Sequence, residues 1–194
     1  MSFLASMIVL SLFRLQDKPV YLDSTKPVEA RVEDLLGRMT IEEKVSMLHG
    51  DSKFTTTAIP RLGLPRRWMS DGPHGVREDV GPDTWNPAGH TDDFSTFMPV
   101  NICLASTWNT QLGFDFGATI GQEAKARGKN IMLAPGVNIM RTPLNGRNFE
   151  YLGEDPFLSS RMAVGYIKGE QAQDVSSCVK HFAEIGRASC RERV

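Results

Sequence analysis

Five charged or ionisable side chains of the sequence could together hold a ligand that is rich in hydroxyl groups. They are Asp71, Arg77, Arg147, Lys180 and His181. A carboxylate accepts hydrogen bonds from hydroxyl groups in pairs, whereas arginine, lysine and histidine side chains donate them. These residues, called the predicted binding set below, therefore supply both the acceptors and the donors that a polyhydroxylated ligand needs.

Each member of the set also has a structural interpretation. Asp71 could simply start the Gly-Pro turn that follows it. Arg77 could be solvated or paired with the adjacent Glu78. Arg147 could pair with Glu150 in the same way. The Lys-His pair is harder to explain structurally, because a basic pair that closes an otherwise apolar strand needs a partner or a ligand.

The elements that must position the binding set alternate between apolar strands and amphipathic helices. Strands are predicted at 68–70, 99–105, 131–134 and 175–182, and helices at 109–127 and 158–172. Such alternation is typical of a parallel sheet that is covered by helices. In such folds the carboxyl ends of the strands line the ligand crevice, so one shared pocket is expected for the set.

Two helices are predicted before the first of these strands. The segment 29–39 places its apolar residues on one helical stripe, and Thr40 followed by Glu43 predicts a capping box for a second helix at 41–49. Gly50 supplies a stop for that helix. The segments 51–65 and 81–96 have no period and many turn residues, so loops are expected there.

The predicted fold class is α/β, with an α/β barrel and an open doubly wound sheet as the two candidates. No Gly-x-Gly-x-x-Gly turn opens any of the predicted helices, which removes the main support for a dinucleotide-binding sheet. A closed barrel needs eight strand-helix units and about 250 residues, and the chain has 194. If the fold is a barrel, the chain therefore forms an incomplete TIM-type (β/α)8 barrel, which corresponds to roughly the first half of the complete one.

The composition limits the partners that are expected. The sequence is 41% hydrophobic and 23% charged, with a formal net charge of -1, which is ordinary for one soluble globular domain. A near-neutral chain without a basic block offers no electrostatic footprint for nucleic acid or an anionic membrane, so a neutral small molecule is expected as the ligand.

The three cysteines are Cys103, Cys178 and Cys190. Their spacing matches neither a zinc site nor a disulfide framework, so no metal or other cofactor is predicted. Cys103 and Cys178 are expected to be buried.

The first residues of the chain predict export. Residues 1–16 contain an apolar run that is too short to span a bilayer but suits the core of a signal peptide. The expected location is therefore periplasmic or secreted, with no membrane association once the leader is removed. The oligomeric state is left open by the sequence.

Three strings carry a resemblance to a known family. SDGPHGVR at 70–77, APGVNIMRTPLNGRNFEYLGEDP at 134–156 and KHF at 180–182 resemble the N-terminal barrel domain of glycoside hydrolase family 3, in the family's order and spacing. The resemblance implies a bacterial-type β-glucosidase that hydrolyses terminal non-reducing β-D-glucosyl residues of a small β-glucoside or an oligosaccharide. It also implies that Asp71 grips the sugar ring and that Arg77, Arg147, Lys180 and His181 donate hydrogen bonds to its hydroxyls. A β-xylosidase of the same family and a non-catalytic sugar-binding fragment are the alternatives.

The same resemblance predicts that no catalytic residue lies in this chain. Retention of anomeric configuration requires a nucleophile and an acid/base whose carboxyl groups are about 5 to 5.5 Å apart. In the family these are an Asp on a later barrel strand and a Glu in the following domain. The family-like domain is expected at 17–183, and residues 184–194 match nothing in the family and are interpreted as a foreign tail. The chain alone is therefore predicted to be inactive.

Overall fold

The computed structural model describes residues 18–81, 83–92 and 95–182. The predicted leader at 1–16 and the predicted tail at 184–194 lie outside these residues. The chain divides into two compact units, Met1–Leu48 and His49–Val194. All five residues of the predicted binding set belong to the second unit.

The first unit contains two short helices after a 3-10 turn at Val20–Leu22. Helix α1 spans Val28–Arg38 and helix α2 spans Ile41–Ser46. The predicted capping box is confirmed: the Glu43 backbone N–H donates to Thr40 Oγ1 over 3.2 Å, and the Thr40 backbone N–H donates to the Glu43 carboxylate over 2.9 Å. The predicted end of α2 is wrong, because the helix closes at Ser46 and Gly50 is the first residue of a strand.

A short hairpin opens the second unit where the sequence predicts a loop. Strand β1 spans Gly50–Ser52 and pairs antiparallel with β2, Thr55–Thr56. The hairpin then continues onto the next strand, since the Met69 backbone N–H donates to the Phe54 carbonyl over 2.8 Å. This pairing joins residues far apart in the chain, which is why a local pattern does not reveal it.

Three parallel strands in sequential order form the main sheet. They are β3 at Met69–Ser70, β4 at Ile131–Met132 and β5 at Ser176–Ser177, with β4 in the middle. All three lie inside predicted strands, which are confirmed in place but not in length. The register aligns Met69 with Ile131, and Ile131 with Ser176. A parallel sheet with helical connections and no closure is the arrangement of an incomplete α/β barrel, as predicted.

The strand predicted at 99–105 is wrong, because this segment forms helix α3 at Asn101–Ala105. Its buried residues, Asn101, Leu104 and Ala105, are three and four positions apart, which is the period of a helix and not of a strand. The Asn101 side-chain amide donates to the Glu150 carbonyl over 2.9 Å. A short apolar run does not show whether its period is that of a helix or of a strand. Here the contact with Glu150, which is distant in sequence, favours the helix.

Two long helices cross closely and build the core of the second unit. Helix α4 spans Thr110–Ala126 and helix α5 spans Pro156–Gln171, close to the predicted bounds. At their crossing a Cβ atom on Gly117 would lie 2.0 Å from the Tyr166 carbonyl oxygen, so only glycine allows this approach. One buried cluster combines residues of both helices with strand and loop residues. It includes Val76, Phe116, Ile120, Met132, Leu152, Met162, Tyr166 and Val175.

Within residues 18–81, 83–92 and 95–182, no helix has the length and apolar character that crossing a bilayer requires. The same part of the chain contains no cluster of three or more His, Cys, Asp or Glu residues that could hold a metal ion. Cys103 and Cys178 are free thiols and are exposed, so the expectation that they are buried is wrong.

Candidate functional site

The predicted binding set lies at the carboxyl ends of the three parallel strands. Asp71 and Arg77 follow β3, Arg147 lies in the connection from β4 to α5, and Lys180 and His181 follow β5. Because parallel strands end at the same edge of a sheet, this placement brings the three segments to one side of the molecule. The structure places the set at these strand ends, and its role in binding stays a prediction.

The first part of the site is an ion pair within a single loop. Arg77 Nε contacts Asp71 Oδ1, and the Arg77 backbone N–H donates to the Asp71 carbonyl over 3.0 Å. Arg77 therefore pairs with Asp71 and not with its neighbour Glu78. Between them Gly72 has φ 142°, and a Cβ there would lie 1.8 Å from the Gly75 carbonyl oxygen, so this tight turn requires glycine.

Two aromatic rings hold the Arg77 guanidinium on its other side. Its central carbon lies 4.4 Å from the ring centroid of Phe54 and 5.2 Å from that of Trp85. The two rings meet edge to face with centroids 5.2 Å apart. Sequence reasoning missed both aromatics, because they come from the hairpin and from a loop with no repeating pattern. A guanidinium between an aromatic pair and a carboxylate is held in a defined orientation.

The second part of the site is built around a buried carboxylate. The Glu150 side chain is only 4% exposed; it accepts a hydrogen bond from Arg147 Nε and lies 3.9 Å from Lys180 Nζ. The hydrogen bond to Glu150 raises the pKa of Arg147, and the charge of Asp71 acts in the same direction.

His181 is held between two side chains in one tautomer. Its Nε2 atom lies 3.0 Å from Arg147 Nη2, and its Nδ1 atom lies 3.2 Å from the hydroxyl of Tyr151, which is fully buried. A guanidinium only donates hydrogen bonds, so Nε2 accepts and the hydrogen sits on Nδ1. Burial lowers the pKa of His181, and the charge of Arg147 lowers it further. The imidazole is therefore neutral near pH 7.

Lys180 and His181 share the site although they are adjacent in sequence. In a continuous strand their side chains would point to opposite faces. Here the ladder ends at Lys180, whose carbonyl accepts from the Val137 backbone N–H over 2.7 Å. The next backbone N–H, that of His181, instead donates to the Asn138 side chain over 2.9 Å. The peptide bond between Lys180 and His181 is cis.

A histidine joins the loop after β3 to the loop before α5. The ring centroid of His74 lies 5.6 Å from that of Phe149 and 5.4 Å from that of Phe97. His74 Nε2 is buried and has no hydrogen-bond partner among the described residues. The strings that carry Asp71 and Arg147 are therefore in contact through these rings. Arg147 in turn contacts His181, and Glu150 lies beside both Arg147 and Lys180, so the segments that carry the five predicted residues are neighbours.

Two other carboxylates, those of Glu123 and Asp155, make hydrogen bonds that stabilise the fold. Glu123 accepts from the Thr96 backbone N–H over 3.0 Å and from the Thr96 hydroxyl over 2.6 Å. Asp155 caps α5 by accepting from the Phe157 backbone N–H over 2.7 Å. The sequence nominated neither as catalytic, and these contacts explain their presence without catalysis.

The second unit is thus an incomplete α/β barrel with a carboxylate and several hydrogen-bond donors at the ends of its strands. The sequence model of the glycosyl hydrolase family 3 N terminal domain matches residues 43–192, and the chain belongs to this family of glycoside hydrolases.

Relatives with β-glucosidase names support this membership. The chain is 54% identical over 171 residues to "Beta-glucosidase BoGH3A" of Bacteroides ovatus, an alignment that covers 87% of this chain and 23% of that protein. It is 44% identical over 151 residues to "Beta-glucosidase" of Rhizobium radiobacter, covering 78% of this chain and 18% of the relative. The structure of β-glucosidase 3B from Thermotoga neapolitana in complex with α-D-glucose matches with a TM-score of 0.65 and 41% identity, over 78% of this chain and 23% of that one. The chain thus spans about a fifth of the length of these relatives.

Proposed function

We propose that the full-length protein carrying this chain hydrolyses terminal non-reducing β-D-glucosyl residues of small β-glucosides or oligosaccharides. The observation that supports this most is the gathering of Asp71, Arg77, Arg147, Lys180 and His181 at one end of the sheet in a member of this family. A solved relative is described in complex with glucose. Export of the protein, inferred from residues 1–16, is part of the same proposal.

Asp71 would accept hydrogen bonds from two neighbouring hydroxyls of the terminal sugar. Its ion pair with Arg77, which the aromatic rings hold in turn, keeps the carboxylate in a fixed orientation. A site that pairs each hydroxyl with a buried polar group rejects sugars that lack the hydroxyl, because the protein group is left unpaired. Selection for the gluco configuration would follow from this arrangement.

Arg147 and His181 would have to rearrange when the sugar binds. In the present geometry His181 Nε2 accepts from Arg147, so it has no hydrogen to donate to a hydroxyl. Arg147 retains its contact with Glu150 through Nε, which leaves Nη2 free to turn from the imidazole to the ligand. His181 Nε2 would then accept from a sugar hydroxyl, or donate to one after a change of tautomer.

The chemistry itself would need two carboxyl groups about 5 to 5.5 Å apart. Glu123, Glu150 and Asp155 are engaged in contacts within the fold, as described above. The resemblance to the family implies that the nucleophile and the acid/base of a double-displacement mechanism would come from the rest of the full-length protein. This chain would supply the groups that bind and orient the terminal sugar.

The proposal is tested with the full-length protein and two aryl glycosides. We expect a higher kcat/KM for the aryl β-glucoside than for the aryl β-xyloside, because the two sugars differ at the exocyclic hydroxymethyl group. Asp71→Asn should lower kcat/KM for the glucoside by about a hundredfold or more, since each hydrogen bond to a charged group contributes about 1.5–3 kcal/mol. The exposed Asp92 provides the control, and Asp92→Asn should leave kcat/KM unchanged.

Two results would count against the proposal. Preference for the xyloside would identify a β-xylosidase of the same family. Tight binding of glucose without turnover of either glycoside would support a sugar-binding module that has no chemistry.

A further inference from the structure

The end of α4 contacts the loop that carries two residues of the predicted binding set. Arg127 follows α4 directly, and its side chain is half-buried against the segment after β3. Its Nη1 atom donates to the Val76 carbonyl over 3.0 Å and to the Arg77 carbonyl over 3.2 Å. These residues are 51 and 50 positions away from Arg127 in the chain, so tertiary packing forms both contacts.

The two carbonyl groups lie at the far end of the loop that begins at Asp71. The Arg77 backbone N–H closes this loop by donating to the Asp71 carbonyl over 3.0 Å, and the Arg77 side chain contacts the Asp71 carboxylate. The Val76 side chain is 1% exposed and belongs to the buried cluster of the second unit. Arg127 therefore holds the loop at the point where the chain leaves the core for the site.

A second cation of the same turn holds the chain just beyond the loop. Lys129 is 7% exposed, and its ammonium group donates to the Asp79 carboxylate over 2.5 Å. The same Nζ atom lies 5.2 Å from the ring centroid of Trp68, the residue before β3. The turn after α4 thus contacts the chain on both sides of the loop 71–77.

The backbone of Arg77 sets the direction of its side chain. The Cα–Cβ bond is fixed by the positions of the backbone N, Cα and C atoms. The N–H of Arg77 is held by the Asp71 carbonyl, and its C=O is held by Arg127. Loss of the Arg127 side chain would leave two backbone carbonyls without this donor, which favours movement of the loop. A displacement of about 1 Å in a site can cost about a hundredfold in rate.

We propose that Arg127 is a positioning residue of the sugar site, which acts through the pair of Asp71 and Arg77 and does not itself contact the sugar. Its guanidinium holds the backbone, the backbone directs Arg77, and Arg77 orients the Asp71 carboxylate. The inference rests on the proposed function, because it takes Asp71 as the carboxylate that accepts from the sugar hydroxyls. It adds to the site a residue outside the predicted binding set.

The test is a double-mutant cycle in the full-length protein, measured as kcat/KM for an aryl β-glucoside. Arg127→Ala alone should lower kcat/KM by about tenfold. In the Asp71→Asn background the same change should lower it less than about threefold, because the charged pair through which Arg127 acts is already broken. A purely structural effect would reduce the fraction of folded enzyme, and kcat/KM with it, by the same factor in both backgrounds.

Two further variants complete the experiment. Lys125→Ala removes a cation at the same end of α4 that pairs with the exposed Asp174 over 2.7 Å, and it should leave kcat/KM unchanged. Arg127→Lys keeps the positive charge at the C-terminal end of the helix, but its side chain is shorter and lacks the guanidinium fork. It should fold and lose about threefold in kcat/KM, with no loss in the Asp71→Asn background. If Arg127→Ala does not fold, this variant decides the cycle.

Each other result decides against the inference. Equal factors in the two backgrounds would overturn it, as would an unchanged kcat/KM in both Arg127 variants. If the wild type turns over the glucoside and Asp71→Asn impairs it, either of these results removes only the positioning role. If the wild type does not turn over the glucoside, or if Asp71→Asn has no effect, the proposed function or its binding residue fails and the positioning role with it.

Discussion

The close crossing of α4 and α5 can be tested by adding one methyl group to a glycine. Gly117 lies where α4 faces α5, and a Cβ atom there would be 2.0 Å from the carbonyl oxygen of Tyr166. That oxygen belongs to the backbone, so it cannot rotate away as the end of a side chain could. The helices would have to separate by about 1 Å or more before the contact became normal.

Two opposing effects set the change in the free energy of unfolding. Replacing glycine by alanine inside a helix stabilises it by about 1 kcal/mol. Overpacking costs about 1–3 kcal/mol, and we expect the upper end because the surrounding Phe116, Ile120 and Met162 are buried and would have to move. Gly117→Ala should therefore lower the free energy of unfolding by about 2 kcal/mol.

The assay is denaturant unfolding of the full-length protein followed by circular dichroism, with two control variants. At Gly113 the nearest atom to an added Cβ is 3.2 Å away, so Gly113→Ala should change the free energy of unfolding by less than about 0.5 kcal/mol. At Gly37 in α1 no atom lies within 4 Å, so Gly37→Ala should stabilise by about 0.5–1 kcal/mol. Equal stability of Gly117→Ala and Gly113→Ala would refute the close crossing.

Three further predictions concern buried charge and the isolated chain. Glu170 is fully buried, and burial raises its pKa from 4.5 to about 8. The unfolded state loses its proton first, so stability should fall by about 1.4 kcal/mol per pH unit between about pH 4.5 and 8. Glu170→Gln should flatten this slope in unfolding measured at pH 5 and pH 8, and an unchanged slope would contradict the assignment. Glu150→Gln should lower the free energy of unfolding by about 2 kcal/mol, less than for a fully buried pair because Arg147 and Lys180 are partly exposed. The 194-residue chain expressed alone should be insoluble or poorly folded and inactive, because an unclosed sheet has an unpaired edge; a soluble, cooperatively melting chain that cleaves an aryl β-glucoside would refute this.

Local signals made several elements predictable from the sequence. The capping box of Thr40 and Glu43 is an interaction between residues three positions apart. Such contacts form in the same way wherever the segment lies in the fold. The hairpin at Gly50–Ser52 and Thr55–Thr56 was missed because it depends on pairing with the strand near Trp68.

The sequence alone determined which kinds of side chain lie at the strand ends. It also offered the pairing of Arg147 with Glu150, three positions apart, as one interpretation of Arg147, and the structure has this pair. Only the tertiary structure decided that Arg77 pairs with Asp71 and that Tyr151 and Arg147 hold His181. Contacts between near neighbours follow from the repeat of the backbone, so residue types and spacing reveal them. The partners of Arg77 and His181 depend on how the loops close over the sheet, which is settled by packing across the whole unit.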